Sequence, residues 1–294
     1  MEKSITIKSI LNKHKKRDSW FLDDYSVNPY EGCSFNCLYC YIRGSKYGEN
    51  MEEGLSVKVN ALEVLDKQLG NRAKKDQRGF VVMASGTDAY MPLENKYRLT
   101  RGFIDLFLKH KFPVHVITKS TLITRDFDRL KEIDQTAILP KNLSHLKRGT
   151  IISFSLSTLD AEIAGKLEPG APLPLERLAT MKKCKEAGFL TGVNALPLLP
   201  FLSDTPEKIE ELIKAAKDHG ADYILAGGLT LFGTDKDSSK VLYFKFLERY
   251  YPHLIPEYKK LYRTFFFPPK EYQAHLKQVV DSLCFKYKIN NRIS

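Results

Sequence analysis

"NPYEGCSFNCLYCYIRG", residues 28–44, gathers Cys33, Cys37 and Cys40 within eight positions and supplies no fourth cysteine nearby. The spacing i, i+4, i+7 would also fit a buried stripe on a helix. However, Pro29 and Gly32 precede it and Ser34 to Asn36 interrupt it, a composition typical of a loop. A structural zinc site closes with four ligands and a ferredoxin cluster takes four thiolates. Here the fourth would have to come from a distant side chain such as His14. Three thiolates around a cubane cluster leave one iron open, as a metal does when a small molecule binds it directly. The other cysteines, Cys184 and Cys284, sit at helical spacing among apolar residues and read as packing groups. Five cysteines, mostly clustered, do not make a secreted disulfide framework.

Outward from this stretch, short apolar runs alternate with helix-length amphipathic ones. "YSVNPY" (25–30), "FVVMASG" (80–86), "PVHVITKS" (113–120), "TIISFSLST" (150–158), "LTGVNALPLLP" (190–200) and "ADYILAGGLTL" (221–231) read as strands. "KYRLTRGFIDLFLKH" (96–110) places Leu99, Phe103, Ile104, Leu106 and Phe107 largely on one helical face. "PLERLATMKKCKEAG" (174–188) is a helix opened by proline and closed by Gly188, and "TPEKIEELIKAAKDHG" (205–220) is another. Repeated strand–helix units with near-continuous apolar strands imply a parallel α/β sheet. Six such units suit a partial or complete βα barrel with its site at the C-terminal strand ends; an open doubly wound sheet is the alternative. After Leu231 only helices remain. The expected organisation is an N-terminal extension (1–24), a barrel (25–232) and a C-terminal helical cap (233–294).

The 294 residues are 43% hydrophobic and 28% charged, an ordinary globular balance with no bilayer-spanning run. The N-terminus lacks a signal-peptide pattern, which predicts a cytoplasmic protein. The net charge of +11 recurs as "KHKKR" (13–17), "RAKKDQR" (72–78) and "KKLYRTFFFPPK" (259–270), and would attract phosphate polymers.

The cysteine loop "GCSFNCLYCY", with "SGTDAYMPLENKYRLTRG", "VITKS", "SFSLSTLDAEIAGKLEPGAP" and "RLATMKKCKEAGFLTGVNALPLLP", resembles the radical SAM superfamily, in its spore photoproduct lyase-related branch, over roughly residues 5–230. The resemblance implies a partial (β/α)6 barrel. It implies a 4Fe–4S cluster held by Cys33, Cys37 and Cys40, whose fourth iron chelates the amino and carboxylate groups of S-adenosylmethionine (SAM). Reductive cleavage of SAM then yields methionine and a 5′-deoxyadenosyl radical that abstracts hydrogen from substrate. Too few cysteines remain for a second cluster, so an external flavodoxin or ferredoxin would supply the electron.

On this resemblance Ser85, Gly86 and Thr87 lie near the methionyl end of SAM, Lys119 and Ser120 near its carboxylate, Ser155 or Ser157 near the ribose, and Asn194 near the adenine. Ser153, Ser155 and Ser157 would share one strand face. Tyr39 and Tyr41 flank Cys40 as tyrosines do in the lyases, where they are implicated in returning a hydrogen atom to the product radical. Ring packing over the cluster is the plainer role for Tyr39. One departure stands out: Ser85 occupies the place of the lyases' hydrogen-donating cysteine. An O–H bond is far stronger than S–H, so lyase activity itself is not expected.

The substrate class expected first is nucleic acid, DNA or RNA, with bases stacking around Tyr258, Lys259, Lys260, Tyr262, Arg263 and Phe265, although the plainer reading of that segment is an amphipathic cap over the barrel mouth. The alternatives are a peptide or small-molecule substrate, and a non-catalytic metal-binding or electron-transfer protein.

Overall fold

A computed structural model describes residues 2–45, 48 and 54–294. All six expected strands form: β1 (Tyr25–Val27), β2 (Val81–Met83), β3 (Val114–Thr118), β4 (Thr150–Ser155), β5 (Leu190–Leu198) and β6 (Tyr223–Gly228). Each pairs in parallel with the next, in chain order, so the sheet is the wall of a barrel. It remains open between β6 and the other edge, where Asn12–Lys13 adds an antiparallel strand to β1. The strands are buried on both faces, Val81, Val82 and Met83 completely or nearly so, because helices cover the outside and side chains fill the inside.

The helices follow local signals. Pro174 and Pro206 stand at the first turns of Pro174–Glu186 and Pro206–Asp218, where no N–H is needed. Gly188 ends the first of these with φ +94°, which a side chain would strain. The helix expected over 96–110 instead begins at Leu99, because Arg98 turns into the left-handed region and splits off the short turn Glu94–Tyr97. The buried Glu94 carboxylate explains the break. It accepts Thr100 N–H at 3.0 Å and Arg101 N–H at 3.2 Å, capping the new helix start from the preceding turn.

The N-terminal extension is woven into the barrel. Lys3–Ile5 pairs with Ser56–Lys58, which pairs with Tyr30–Glu31 in a second small sheet. Residues 17–24 lie across the barrel's open side. Arg17 pairs with Asp24 at 2.8 Å and donates to Asn142 at 2.9 Å, while the Trp20 ring rests beside Gly227 of β6. His115 of β3 donates its Nδ1–H to the Phe21 carbonyl at 2.8 Å, and its Nε2 accepts from the Ser153 hydroxyl at 2.7 Å. Tyr223 donates to Ser153 at 2.6 Å, so three strands share one polar chain inside the barrel.

The C-terminal helices divide in two. Ser239–Tyr250 and Ile255–Leu261 pack Tyr243, Phe246, Leu247, Tyr258 and Tyr262 against Phe35, Cys37 and Tyr39 of the cysteine loop. Lys270–Tyr287 instead joins the outer helix layer beside Pro206–Asp218 and β6, burying Leu276, Val280 and Cys284. It covers the wall, not the mouth. Cys184 is likewise fully buried in the main core, as expected. No helix among the described residues is long and apolar enough to cross a membrane.

Candidate functional site

The cysteine stretch is a loop, built from successive turns: Asn36 N–H bonds Cys33 O at 3.2 Å, Cys40 N–H bonds Cys37 O at 3.3 Å, and Arg43 N–H bonds Cys40 O at 3.0 Å. Neighbouring elements clamp it. Leu38 N–H bonds Leu167 O at 2.8 Å, and Gly170 N–H bonds Phe35 O at 3.1 Å. A Cβ at Gly170 would lie 2.1 Å from the Ser34 carbonyl, so this approach requires glycine. The Thr87 hydroxyl donates to Gly32 O at 2.5 Å, and Arg43 Nε donates to Cys37 O at 3.2 Å.

Cys33, Cys37 and Cys40 all line one cavity of about 400 Å³ at the C-terminal ends of the strands. Its walls include Ser85, Gly86 and Thr87 after β2, Lys119 after β3, Ser155 at the end of β4, Asn194 on β5, and Leu229 and Thr230 after β6. Tyr39 and Tyr41 line it too. Among the described residues no three His, Cys, Asp or Glu are grouped to hold a single metal ion. His14 is no ligand for the loop; its ring nitrogens face Asp23 at 2.6 Å and Ser26 at 3.1 Å. Burial pushes the Cys33 thiol up to about 11 and Cys37 higher still. Thiols this buried ionise only against a compensating cation, which metal coordination supplies.

Two expected residues turn elsewhere. The Ser120 hydroxyl caps the 3-10 helix Thr121–Asp126 by accepting Leu122 N–H at 3.2 Å, and it is not part of the cavity wall. Ser157 lies past the end of β4, where strand alternation no longer governs direction, and its hydroxyl meets Tyr39 at 2.8 Å. Gly86 and Thr87 do reach the wall, but their polar groups are engaged: Gly86 N–H donates to Asn28 Oδ1 at 2.9 Å, and the Thr87 hydroxyl holds Gly32. The two tyrosines also part ways. Tyr39 is buried, whereas Tyr41 is 45% exposed and its hydroxyl donates to the Ser85 carbonyl.

Beneath the cavity lies a buried ionic group that sequence reasoning did not assign. The Glu168 carboxylate accepts from the Arg177 guanidinium and from the Tyr39 hydroxyl, and stands 4.0 Å from Lys119 Nζ. Arg177 is 1% exposed and also donates to Pro172 O at 2.7 Å and Ser155 O at 3.1 Å. Burial alone would raise Glu168, but Lys119 and Arg177 outweigh it and hold the carboxyl below its ordinary range. Burial would likewise lower Lys119, and negative charge on a Cys37 thiolate and on Glu168 reverses that. Asp88 is a second buried anchor: it accepts from Thr118 Oγ1 at 2.7 Å, Lys119 N–H at 2.8 Å and Tyr90 N–H at 2.9 Å. It fixes where β3 ends and Lys119 begins.

The residues present fit a cluster with SAM beside it. Three thiols and an ammonium face one space of suitable size, and Asn194 Oδ1 is buried in its wall without a hydrogen-bond partner. A buried acceptor left unmet is costly, so a ligand that donates there is favoured.

Residues 27–216 match the family described as the Radical SAM superfamily. An uncharacterized protein of Mycobacterium tuberculosis (strain ATCC 25618 / H37Rv) is 30% identical over 271 residues, covering 90% of this chain and 75% of that one. A radical SAM Nalpha-GlyT isomerase of Pseudomonas phage M6 is 22% identical over 203 residues, covering 68% of this chain and 39% of that one. Among solved structures, a spore photoproduct lyase mutant with bound AdoMet and dinucleoside spore photoproduct is similar at a TM-score of 0.63 and 16% identity. That likeness covers 97% of this chain and 79% of the other, and shows the shared fold.

Proposed function

We propose a nucleic-acid substrate for this enzyme, and the premise is plain: the chain belongs to the Radical SAM superfamily. Members of that family work with a 4Fe–4S cluster and SAM, and need an electron donor. Bound together, the two supply a 5′-deoxyadenosyl radical by one-electron cleavage of the SAM sulfonium.

This chain's residues bind, orient and shield. Cys33, Cys37 and Cys40, which line the cavity together, would hold the cluster as its three thiolate ligands. Lys119 meets the SAM carboxylate as a charge-assisted donor. Ser155 would meet the ribose hydroxyls, and the unpartnered Asn194 Oδ1 would accept from the adenine amine. Tyr39, tied to Glu168 and Ser157, packs the loop and excludes water. Ser85 lines the cavity with a hydroxyl that cannot replace a thiol as hydrogen-atom donor, so the outcome is not the lyase reaction. An external flavodoxin or ferredoxin would supply the electron.

The substrate class rests on the edge of the cavity beyond β6. Leu229 and Thr230 line the cavity, and the loop that packs against this segment presents exposed Arg263 and Phe265, with Lys259 and Lys260 just before it. The net charge of +11 favours a polyanion. A protein of the same fold holds a dinucleoside, which agrees with this reading.

The test is 5′-deoxyadenosine formation by anaerobically reconstituted, dithionite-reduced protein, with and without DNA or RNA oligonucleotides. Nucleic acid should raise turnover above the basal rate, and Cys40→Ala should abolish product in every condition. Stimulation by peptides or small molecules, with none from nucleic acid, would overturn the substrate class.

A further inference from the structure

Beside the catalytic cavity lies a second groove, of about 480 Å³, between the helices Ser239–Tyr250 and Ile255–Leu261. Lys240, Lys245 and Lys259 line it with a single acid, Glu248. Among the described residues none of these lysines is held in an ion pair; Lys245 and Lys259 are exposed, and Lys240 Nζ donates to the Tyr262 carbonyl at 3.4 Å. Tyr262 belongs to this groove, and its hydroxyl donates to Leu229 O at 2.9 Å, on the wall of the catalytic cavity. The two spaces therefore share one buried tyrosine as partition.

The loop after that tyrosine is a ridge of rings. Phe265 is 60% exposed and stacks parallel to Phe267 at 5.4 Å, while Phe266, 44% exposed, stacks on Phe232 at 4.4 Å. The ridge is fixed in place: Leu231 N–H bonds Phe266 O at 2.7 Å, next to the cavity residues Leu229 and Thr230. Two exposed rings of this size, braced by other rings, are costly to leave in water and rigid enough to receive a flat partner.

We propose that the lysine groove and the phenylalanine ridge form one track for single-stranded nucleic acid, leading to the mouth of the catalytic cavity. The inference rests on the nucleic-acid reading above. Phosphates follow Lys240, Lys245 and Lys259, and an unstacked base lies on Phe265 or Phe266. A duplex keeps its bases stacked on each other and offers no free face to the ridge, so the track selects single strands or locally opened ones. Tyr258 and Tyr262 are not part of the platform, because both are buried with their hydroxyls bonded to backbone carbonyls.

The test is fluorescence anisotropy of a labelled twelve-nucleotide single strand, as DNA and as RNA, with reconstituted full-length protein across a salt series. Phe265→Ala should weaken binding about ten-fold with the salt slope unchanged. Lys245→Gln/Lys259→Gln should lower the slope of log K against log salt by about 1.4, two phosphate contacts at roughly 0.7 each. Duplex of the same sequence should bind more weakly and lose nothing on Phe265→Ala. If the wild type binds single strands but both variants match it, the track is wrong and the substrate reading stands. If the wild type binds no nucleic acid at any salt, both fall. Circular dichroism on each variant separates loss of binding from loss of fold.

Discussion

Glu168→Gln removes the one carboxylate that faces Arg177, Lys119 and Tyr39 at once. Arg177 is 1% exposed and keeps only two carbonyl acceptors, Pro172 O and Ser155 O, so its charge is left without a counter-ion in the interior. Breaking a buried pair in this way costs about 3–5 kcal/mol. The retained carbonyls and the amide's similar shape place this case at about 3 kcal/mol. At roughly 2–4 °C per kcal/mol for a chain of this size, the apoprotein should melt about 6–12 °C lower by circular dichroism. Lys119 would also lose the anion that positions it, so SAM affinity should fall, read by equilibrium dialysis on the reconstituted protein. Deleting both charges, as Glu168→Gln/Arg177→Met, removes the uncompensated cation and should regain at least about 1 kcal/mol against the sum of the single variants. Equal melting of Glu168→Gln and wild type, or strict additivity in the double variant, would refute the account of this group as a charge-balanced support for the site.

Two further outcomes follow from single buried groups. Asn194→Leu removes the acceptor that has no partner, so the apoprotein should melt at or above the wild-type temperature while SAM binding weakens about ten-fold; a lower melting temperature with unchanged SAM affinity would make Asn194 a packing residue. Burial pushes His115 down to about 4 in the fold, against the opposing pull of its bond to Phe21, whereas it titrates at about 6.5 in the unfolded chain. Between these values the unfolded state binds the extra proton, so stability should fall as pH drops, by about 1.4 kcal/mol per unit, and His115→Gln should flatten that slope in urea titrations of the apoprotein.

The barrel was legible because its signals are local. Apolar runs, Pro174 and Pro206 at helix starts, and Gly188 at a helix end act over a few residues, and the structure follows each of them. The cysteine loop was legible for the same reason: glycine, serine and asparagine within ten positions deny it a helix. Local periodicity also marks its own limit. Ser153 and Ser155 obey strand alternation, but β4 stops at Ser155, and two residues later Ser157 answers to Tyr39 instead of the cavity.

What sequence reading missed is long-range, buried and charged. Glu168 precedes a Pro-Gly pair and looks like a surface turn, yet its partners are Tyr39, 129 positions away, and Lys119 on another strand end. No spacing rule can pair residues that meet only after the barrel closes around them. The basic aromatic segment divides between packing and surface. Tyr258 and Tyr262 are four apart, so they share one helix face, and that face packs into the mouth of the barrel. The lysines between them fall on the solvent side, and the exposed rings are those beyond the helix end, Phe265 and Phe266. Helical period, applied to 258–262, places Tyr258 and Tyr262 on the packed face and Lys259 and Lys260 outside it, a division that composition alone does not make.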